Sequence, residues 1–592
     1  MPEIGWQGLL TVSIVLGSLG LLFWERFSPD RVMGGAVALL VLTGVLTPLE
    51  GLQGFWNPGL LTVAVLFVLV AALKTTGAIG WIGSWVLGRP SGERGALFRL
   101  VPITSTLSAF INNTPVVATL TSSIEHWSRS RHISPSRLLL PMNYATILGG
   151  MCTLVGTSTN LVVAGLVATQ PGLPRLDLFD PLLAAWPAAM LGGLYLIVAG
   201  RWLLPIRRSA LDQAADTYEY VVEMLVEPGG ALVGKSIDAA GLRRLSGSFL
   251  IELLRDGQLF APVAPDTRLQ ANDRVVFVGA VDSVRELRRI GGLRPATDQL
   301  FKLDSPDERR TLVELVLSPY SPVVGKSLRD VAFRTRYNAA VIAVSRRGQR
   351  LHDKPGDIPL QAGDTLLVET VPEFMHTTGR SPDFLVSTLV DGEQFVEPRK
   401  ARMALGVLLA MIAANTILGV DILTSAAAAG VLVIALRCVS LAELRRTLDL
   451  RLIAVIACSF ALGEATEKTG VAELVARQLA DLGGSDPALV LVLVYVVAVL
   501  FTELLTNNAA AVLMFPIAMS VASQLGVSPM PFVVAIMIGA SAGFITPIGY
   551  QTNLMVYGPG GYRFVDYVRF GAPLSLLVGV TVLWMIPRVW QF

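Results

Sequence analysis

Long apolar segments at both ends of the chain, separated by a charged middle, limit the fold more than any other feature. Uninterrupted spans lie near 7–24, 31–47, 59–74 and 181–204 before the middle, and near 401–418, 420–437, 452–467 and 571–590 after it. A bilayer core takes roughly 20 apolar residues of helix, so these spans predict an α-helical polytopic membrane protein. Composition agrees: 53% of the 592 residues are hydrophobic, 16% are charged and mean hydropathy is +0.59. A water-soluble chain with that balance could not cover itself with polar groups. Residues 1–25 lack the basic n-region of a secretion signal, and further apolar spans follow closely. They read as a first transmembrane helix that stays.

Several chemistries find no support. Cys152, Cys438 and Cys458 sit in apolar runs without a CxxC pair, and His126, His132, His352 and His376 do not cluster. Neither disulfides nor a metal centre is indicated. A net charge of +2, 7% aromatic residues and no basic tract with interleaved aromatics give no reason to expect nucleic-acid binding. No nucleophile, base and metal set for an enzyme is present.

Four other apolar stretches, 95–125, 138–168, 486–525 and 528–558, are interrupted by polar, glycine or proline residues. Non-helical backbone at membrane depth is tolerated only where protein buries it or an aqueous cavity reaches it. A transport site is therefore expected at these breaks.

Residues 206–398 have a different character, with frequent charges and short alternating apolar runs such as Asp273–Val278 and Asp364–Glu369. They predict a soluble α/β insert. Arg201, Arg207 and Arg208 precede it, and Arg399, Lys400 and Arg402 follow it, which places it in the cytoplasm by the positive-inside rule. With five crossings per half, both termini would be external.

The insert repeats at an offset of 91: Val233-Gly234-Lys235-Ser236-Ile237 matches Val324-Gly325-Lys326-Ser327-Leu328. Gly257 matches Gly348, and Leu269, Gln270 and Asp273 match Leu360, Gln361 and Asp364. Two copies of one small domain are expected, at 218–296 and 308–390. The membrane part repeats at about 393. Thr76-Gly77 matches Thr469-Gly470, and Gly156, Thr159, Asn160 and Leu161 match Gly549, Thr552, Asn553 and Leu554. Residues 1–205 and 399–592 thus form two related halves, the second inverted if each has an odd number of crossings. Inverted repeats with interrupted helices mark transporters whose site lies near the midplane.

The first pair of breaks carries Asn112-Asn113-Thr114-Pro115 and Thr506-Asn507-Asn508, with a register that slips by a residue or two from the common offset. Adjacent amides inside a membrane are costly unless satisfied. Their oxygens can coordinate a hard cation and their N–H groups can donate to an anion. A helix starting after such a tip presents free N–H groups and a positive dipole end. Pro115 suits a helix start. A single such Asn could merely cap or glue a helix; two repeat-related pairs favour a substrate site.

The second pair is Gly156-Thr157-Ser158-Thr159-Asn160 and Gly549-Tyr550-Gln551-Thr552-Asn553, preceded by Thr153 and by Thr546-Pro547. Glycine permits an unwound turn. Its carbonyls, with the hydroxyls and the Asn amide, could cage Na+ without protein charge. A simple kink with back-bonded hydroxyls is the bland alternative. Intramembrane charges Lys74, Glu464, Glu467, Lys468 and Glu503 are either functional or ion-paired at helix ends. Protonatable Glu503 keeps proton coupling open beside Na+.

Gly229 to Ser236 formally matches the phosphate loop GxxxxGK[ST]. The second copy has Tyr320 at the Gly229 position and keeps only the VGKS core. A loop turning into a short helix accounts for this better than nucleotide hydrolysis does.

The motifs NNTPVVA, LLTNNAAAVLMFP, GTSTN and GYQTN resemble those of the divalent anion:sodium symporter family of the ion transporter superfamily. The VGKS-type repeats resemble the C-terminal domain of the potassium-uptake regulator TrkA (the RCK-C type), a tandem insert in one branch of that family. The resemblance implies an elevator-type homodimer with one re-entrant hairpin and one unwound helix per half around a shared anion site with flanking Na+ sites. The family's Ser-Asn-Thr hairpin motif falls on Asn112-Asn113-Thr114 and on Thr506-Asn507-Asn508, and both copies depart from it. Asn113 and Asn507 would serve both substrate and Na+. The insert-bearing branch resembles bacterial and algal sulfate permeases, which implies sulfate as substrate and a bacterial inner membrane. The insert is expected either to sense a small cytosolic ligand or to serve as a dimerisation or stability module. C4-dicarboxylate transport, proton coupling and a regulated ion channel are the alternatives. A channel would need a TVGYG-like filter, and none is present.

Overall fold

The computed structural model describes residues 5–23, 28–88, 92–131, 133–206, 221–242, 248–256, 258–260, 263–279, 290–295, 311–346, 349–351, 355–370, 374, 381–389, 398–440, 443–444, 450–484 and 486–592. Gly257, Gly348, His132, His352, His376, Arg207 and Arg208 lie outside the described residues, as do the ends of the insert.

The first half folds as α1 (Trp6–Phe23), α2 (Pro29–Leu42), α3 (Pro48–Leu52), α4 (Pro58–Thr75), α5 (Ala78–Leu87), α6 (Glu93–Phe110), α7 (Asn113–Ser130), α8 (Ser136–Gly150), α9 (Ser158–Thr169) and α10 (Asp180–Leu203). The second contains α11 (Pro398–Leu418), α12 (Ile422–Ala435), α13 (Leu450–Lys468), α14 (Val471–Leu482), α15 (Pro487–Leu504), α16 (Asn507–Leu525), α17 (Met530–Ser541), α18 (Gln551–Tyr557) and α19 (Phe564–Val589). Local chemistry sets the starts. Asn57 and Asp486 cap α4 and α15 by accepting from Gly59 N and Ala488 N, and a proline follows each cap. Among the described residues six helices, α4, α10, α11, α15, α16 and α19, are long and apolar enough to cross a bilayer.

Two expected full spans are shorter. The 31–47 segment stops as a helix at Leu42, where the Thr43 hydroxyl caps Leu39 O at 2.7 Å and Gly44 turns the chain at φ +74°. The 420–437 segment gives a 14-residue helix, closed by Arg437 at φ +55°. Fourteen residues of helix extend about 21 Å, less than the bilayer core of about 30 Å.

All four interrupted stretches are broken helices. Only Ile111 and Asn112 separate α6 from α7, and only Leu505 and Thr506 separate α15 from α16. Ile111 and Thr506 are both extended. Longer unwound segments separate α8 from α9 and α17 from α18.

The insert contains two antiparallel five-stranded sheets. The first has β1 (Val221–Val226), β2 (Ser248–Arg255), β3 (Gln258–Phe260), β4 (Arg274–Gly279) and β5 (Leu293–Pro295) in the order β3-β2-β4-β1-β5. The second has β6 (Thr311–Leu317), β7 (Ala339–Arg346), β8 (Gln349–Arg350), β9 (Thr365–Thr370) and β10 (Phe384–Leu389) in the order β10-β6-β9-β7-β8. Copy for copy the order is the same. Each sheet holds a buried aspartate against an arginine: Asp273 with Arg255 and Asp364 with Arg346, at 2.7 and 2.8 Å. The VGKS segments are loops, and in the second copy the turns after Ser327 lead into the expected short helix, Phe333–Tyr337, while residues 243–247 of the first copy lie outside the described residues. The two loops form turns pinned by single bridges, Ser236 to Arg268 and Ser327 to Pro359.

Candidate functional site

The breaks of both halves meet at a cavity of about 310 Å³. Asn112, Thr114 and Pro115 of the first tip line it, as do Thr506, Asn507 and Asn508 of the second. Ser158 and Thr159 come from the first unwound segment, and Gly549, Tyr550 and Gln551 from the second. The expected residues Asn113, Gly156, Thr157, Asn160, Thr552 and Asn553 are not in the lining; all except Thr552 form a hydrogen-bonded layer behind it. Helix starts settle the slipped register. Asn113 opens α7 and Asn507 opens α16, so Asn112, Asn113 and Thr114 correspond to Thr506, Asn507 and Asn508.

Each tip is fastened to the unwound segment of the other half. Asn508 Oδ1 accepts from Ser158 Oγ and Thr159 Oγ1, both at 3.2 Å. Asn113 Oδ1 accepts from the Tyr550 hydroxyl at 2.6 Å, an amide orientation that lets Nδ2 donate to Ser108 Oγ and to the Thr146 and Gly156 carbonyls. The Tyr550 hydroxyl also lies 3.0 Å from Thr157 Oγ1.

The unwound segments are built alike. Unwinding strips carbonyls of their helical donors, and a buried carbonyl needs a replacement. Asn160 Nδ2 donates to Thr153 O at 2.8 Å and to Gly150 O at 3.4 Å. Asn553 Nδ2 donates to Thr546 O at 2.8 Å and to Gly543 O at 2.9 Å. Thr153 Oγ1 accepts from Gly156 N, and Thr546 Oγ1 from Gly549 N. Asn160 Oδ1, Asn507 Nδ2 and Thr552 Oγ1 stay buried without a hydrogen-bond partner. This is bonding capacity that a hard cation or a polar substrate could use. Neither half was expected to contribute Ser108 or Asn143, yet Asn143 Nδ2 donates to Asn553 Oδ1 at 2.6 Å. Ser108 lies in the last turn of α6, beside the first break, among other hydroxyl residues, and Asn143 lies within α8, where its only sequence signal is a lone amide in an apolar run.

Glu503 does not line the cavity. Its carboxylate accepts from Ile545 N and Thr546 N, both at 2.8 Å, and so fastens the second unwound segment. The corresponding residue of the first half is Ala109, whose carbonyl accepts from Thr153 Oγ1. Two other flagged charges serve at the helix ends. Lys468 pairs with Glu50 at 2.8 Å, which holds the Glu50 carboxyl down to about 2, and Glu464 accepts from Gln53 at 3.0 Å. Lys74 lines the cavity.

Broken helices from both halves of the chain, converging on one cavity, are the architecture of a membrane transporter. The model of the citrate transporter family (CitMHS) matches residues 19–420 and 408–592. The chain belongs to this family, whose members are transporters rather than enzymes. It is 34% identical over 581 residues to a Chlamydomonas reinhardtii protein named "Putative sulfur deprivation response regulator", covering 94% of this chain and 98% of the relative. It is 33% identical over 591 residues to an uncharacterized transporter of Synechocystis, covering 97% and 95%. With sodium/sulfate cotransporter 2 of C. reinhardtii it shares 26% identity over 97% of this chain and 88% of that protein. The expected likeness to anion:sodium symporters holds at the level of this transporter family.

Proposed function

We propose that the chain is a secondary active transporter that carries a divalent anion, sulfate before others, in symport with Na+. One observation carries the substrate charge. The first turns of α7, α9 and α16 open onto the cavity, and Lys74 is the one charged side chain among its described lining residues. Helix N-termini and a cation in a confined site favour a divalent anion. The substrate would lie between Asn112, Asn113 and Thr114 on one side and Thr506, Asn507 and Asn508 on the other. Na+ would take the oxygens of Gly156 to Asn160 and of Gly549 to Asn553, together with Asn113 and Asn507. The name of the C. reinhardtii sodium/sulfate cotransporter supports both sulfate and Na+.

The nearly equal offsets of the tips and the unwound segments support two inverted halves, 1–205 and 399–592, each with a re-entrant hairpin, working by an elevator motion in a homodimer. The matching sheet orders support two TrkA-C-like domains at 218–296 and 308–390 within the insert 206–398. We place the protein in a bacterial inner membrane, the insert in the cytoplasm, and a small cytosolic ligand on the insert.

The test is uptake of radiolabelled sulfate into proteoliposomes, with and without an inward Na+ gradient and with unlabelled succinate as competitor. Na+-driven uptake that ignores succinate is the expected result. Strong competition by succinate would reassign the substrate to C4-dicarboxylates. Uptake driven equally by a proton gradient without Na+ would overturn the coupling ion.

A further inference from the structure

We infer that the second insert domain is a plug on the transport cavity, and that the domain must leave before the cavity opens to the side of the membrane that holds the insert. This deepens the proposed function and rests on the cavity being the transport site. Tyr320, Ala362, Ser381, Phe384 and Leu385 of this domain line the same cavity as the two tips. Tyr320 is 5% exposed and packs in one apolar cluster with Leu505, Ala509 and Leu513 at the second tip. Val316 and Leu385 belong to the main core of the membrane part. At the cavity edge, Gly363 and Thr365 sit against α18. A Cβ on Gly363 would lie 3.8 Å from Leu554 Cβ, and a Cβ on Gly558 would overlap Thr365 Oγ1 at 1.7 Å.

The two insert copies share a fold but not this face. At the offset of 91, Tyr320 corresponds to Gly229, Thr365 to Arg274 and Leu385 to Arg294. Gly229 is exposed, Val233 (the partner of Val324) is 39% exposed, and Arg274 is paired with Glu223. Among the described residues the first copy contributes nothing to the cavity. A fold that needed only stability or pairing between copies would not require one copy alone to become apolar where it meets the tips. Burial of an aromatic anchor and several aliphatic groups favours the docked state. Anything that binds the undocked domain better shifts the balance toward an open cavity.

The test uses the full-length chain with Cys152, Cys438 and Cys458 replaced by alanine and Thr114→Cys as a probe inside the cavity. The readout is the rate of labelling by a membrane-impermeant maleimide applied from the insert side. Tyr320→Gly installs the residue of the first copy and is expected to speed labelling roughly tenfold or more, the population shift of losing one buried aromatic anchor. Gly558→Ala, which wedges the contact, is expected to act in the same direction. Gly363→Cys with Leu554→Cys, whose Cβ separation of 3.8 Å suits a disulfide, is expected to label more slowly when oxidised than when reduced; because Gly363 sits at φ +79°, where a side chain is strained, the reduced double variant is the baseline. Equal labelling in the parent, Tyr320→Gly and Gly558→Ala would overturn the plug, as would a disulfide that forms without slowing it. Sulfate uptake by the chain with Thr114 intact, measured in parallel, separates the two claims. Absent uptake with the expected labelling pattern would remove the substrate assignment and leave the plug standing.

Discussion

The hydroxyl of Tyr550 donates to the side-chain carbonyl of Asn113 at 2.6 Å, joining residues 437 positions apart. The same oxygen reaches Thr157 at 3.0 Å. Thr157 and Tyr550 are themselves repeat mates, 393 residues apart, so one phenol ties the first tip to both unwound segments. Tyr550→Phe would leave a buried amide and a buried hydroxyl short of a partner, a cost of about 1–3 kcal/mol. Initial sulfate uptake is expected to fall at least about tenfold. Unchanged uptake would detach Tyr550 from the transport site.

Asn113→Ala and Asn507→Ala are each expected to abolish uptake while the protein still elutes as a monodisperse species in detergent. Asn507 Nδ2 is buried without a hydrogen-bond partner, so its truncation removes bonding capacity from the site without breaking a structural bond of that atom. Normal transport by either variant would take that residue out of the site.

Asn553 performs a structural task as well. Its amide nitrogen holds the carbonyls of Gly543 and Thr546. Asn553→Ala orphans both, at about 1–3 kcal/mol each, and thermal unfolding in detergent should occur several degrees lower. The mirrored Asn160→Ala should behave alike, since it frees Gly150 and Thr153 in the same way. An unshifted midpoint in both would show that other donors replace the amides.

Glu503→Gln tests proton coupling against structure. Both carboxylate oxygens accept backbone N–H groups, and a glutamine can offer only one acceptor oxygen to the two donors. Uptake should fall by a similar factor at every pH between about 6 and 8, with its pH profile unmoved. A profile flattened by the substitution would make Glu503 a proton carrier instead.

In the insert, Arg346→Ala removes the guanidinium from Asp364, whose side chain is 1% exposed and keeps the Gln361 N–H at 2.8 Å. Removing the charged partner of a buried carboxylate costs about 3–5 kcal/mol. Limited proteolysis should then cut within 311–389 faster than in the parent, and Arg255→Ala should do the same within 221–295. Equal cleavage would show that neither pair holds its sheet.

Where the helices break, and that the breaks recur, could be read directly along the chain. A glycine or an asparagine pair inside an apolar run is a local event, and a constant spacing such as that of Asn160 and Asn553 needs no third dimension. The two insert copies were legible for the same reason. The shortened α2 and α12 were not, because apolar residues continue past Leu42 and Ala435 while the backbone turns. Nor was the work of Glu503: a carboxylate inside a membrane reads as chemistry until the N–H groups of Ile545 and Thr546 are seen beside it.

By itself the sequence determined a membrane protein of two related halves, four broken helices and a duplicated insert, since hydrophobic length, helix breakers and repeat offsets act through near neighbours in the chain. Only the tertiary structure decided that each tip bonds the unwound segment of the opposite half, and that one insert copy faces the cavity while the other does not. Those contacts join residues hundreds of positions apart, such as Ser158 and Asn508, 350 apart. They depend on shape and burial on both sides of an interface, which no local pattern encodes.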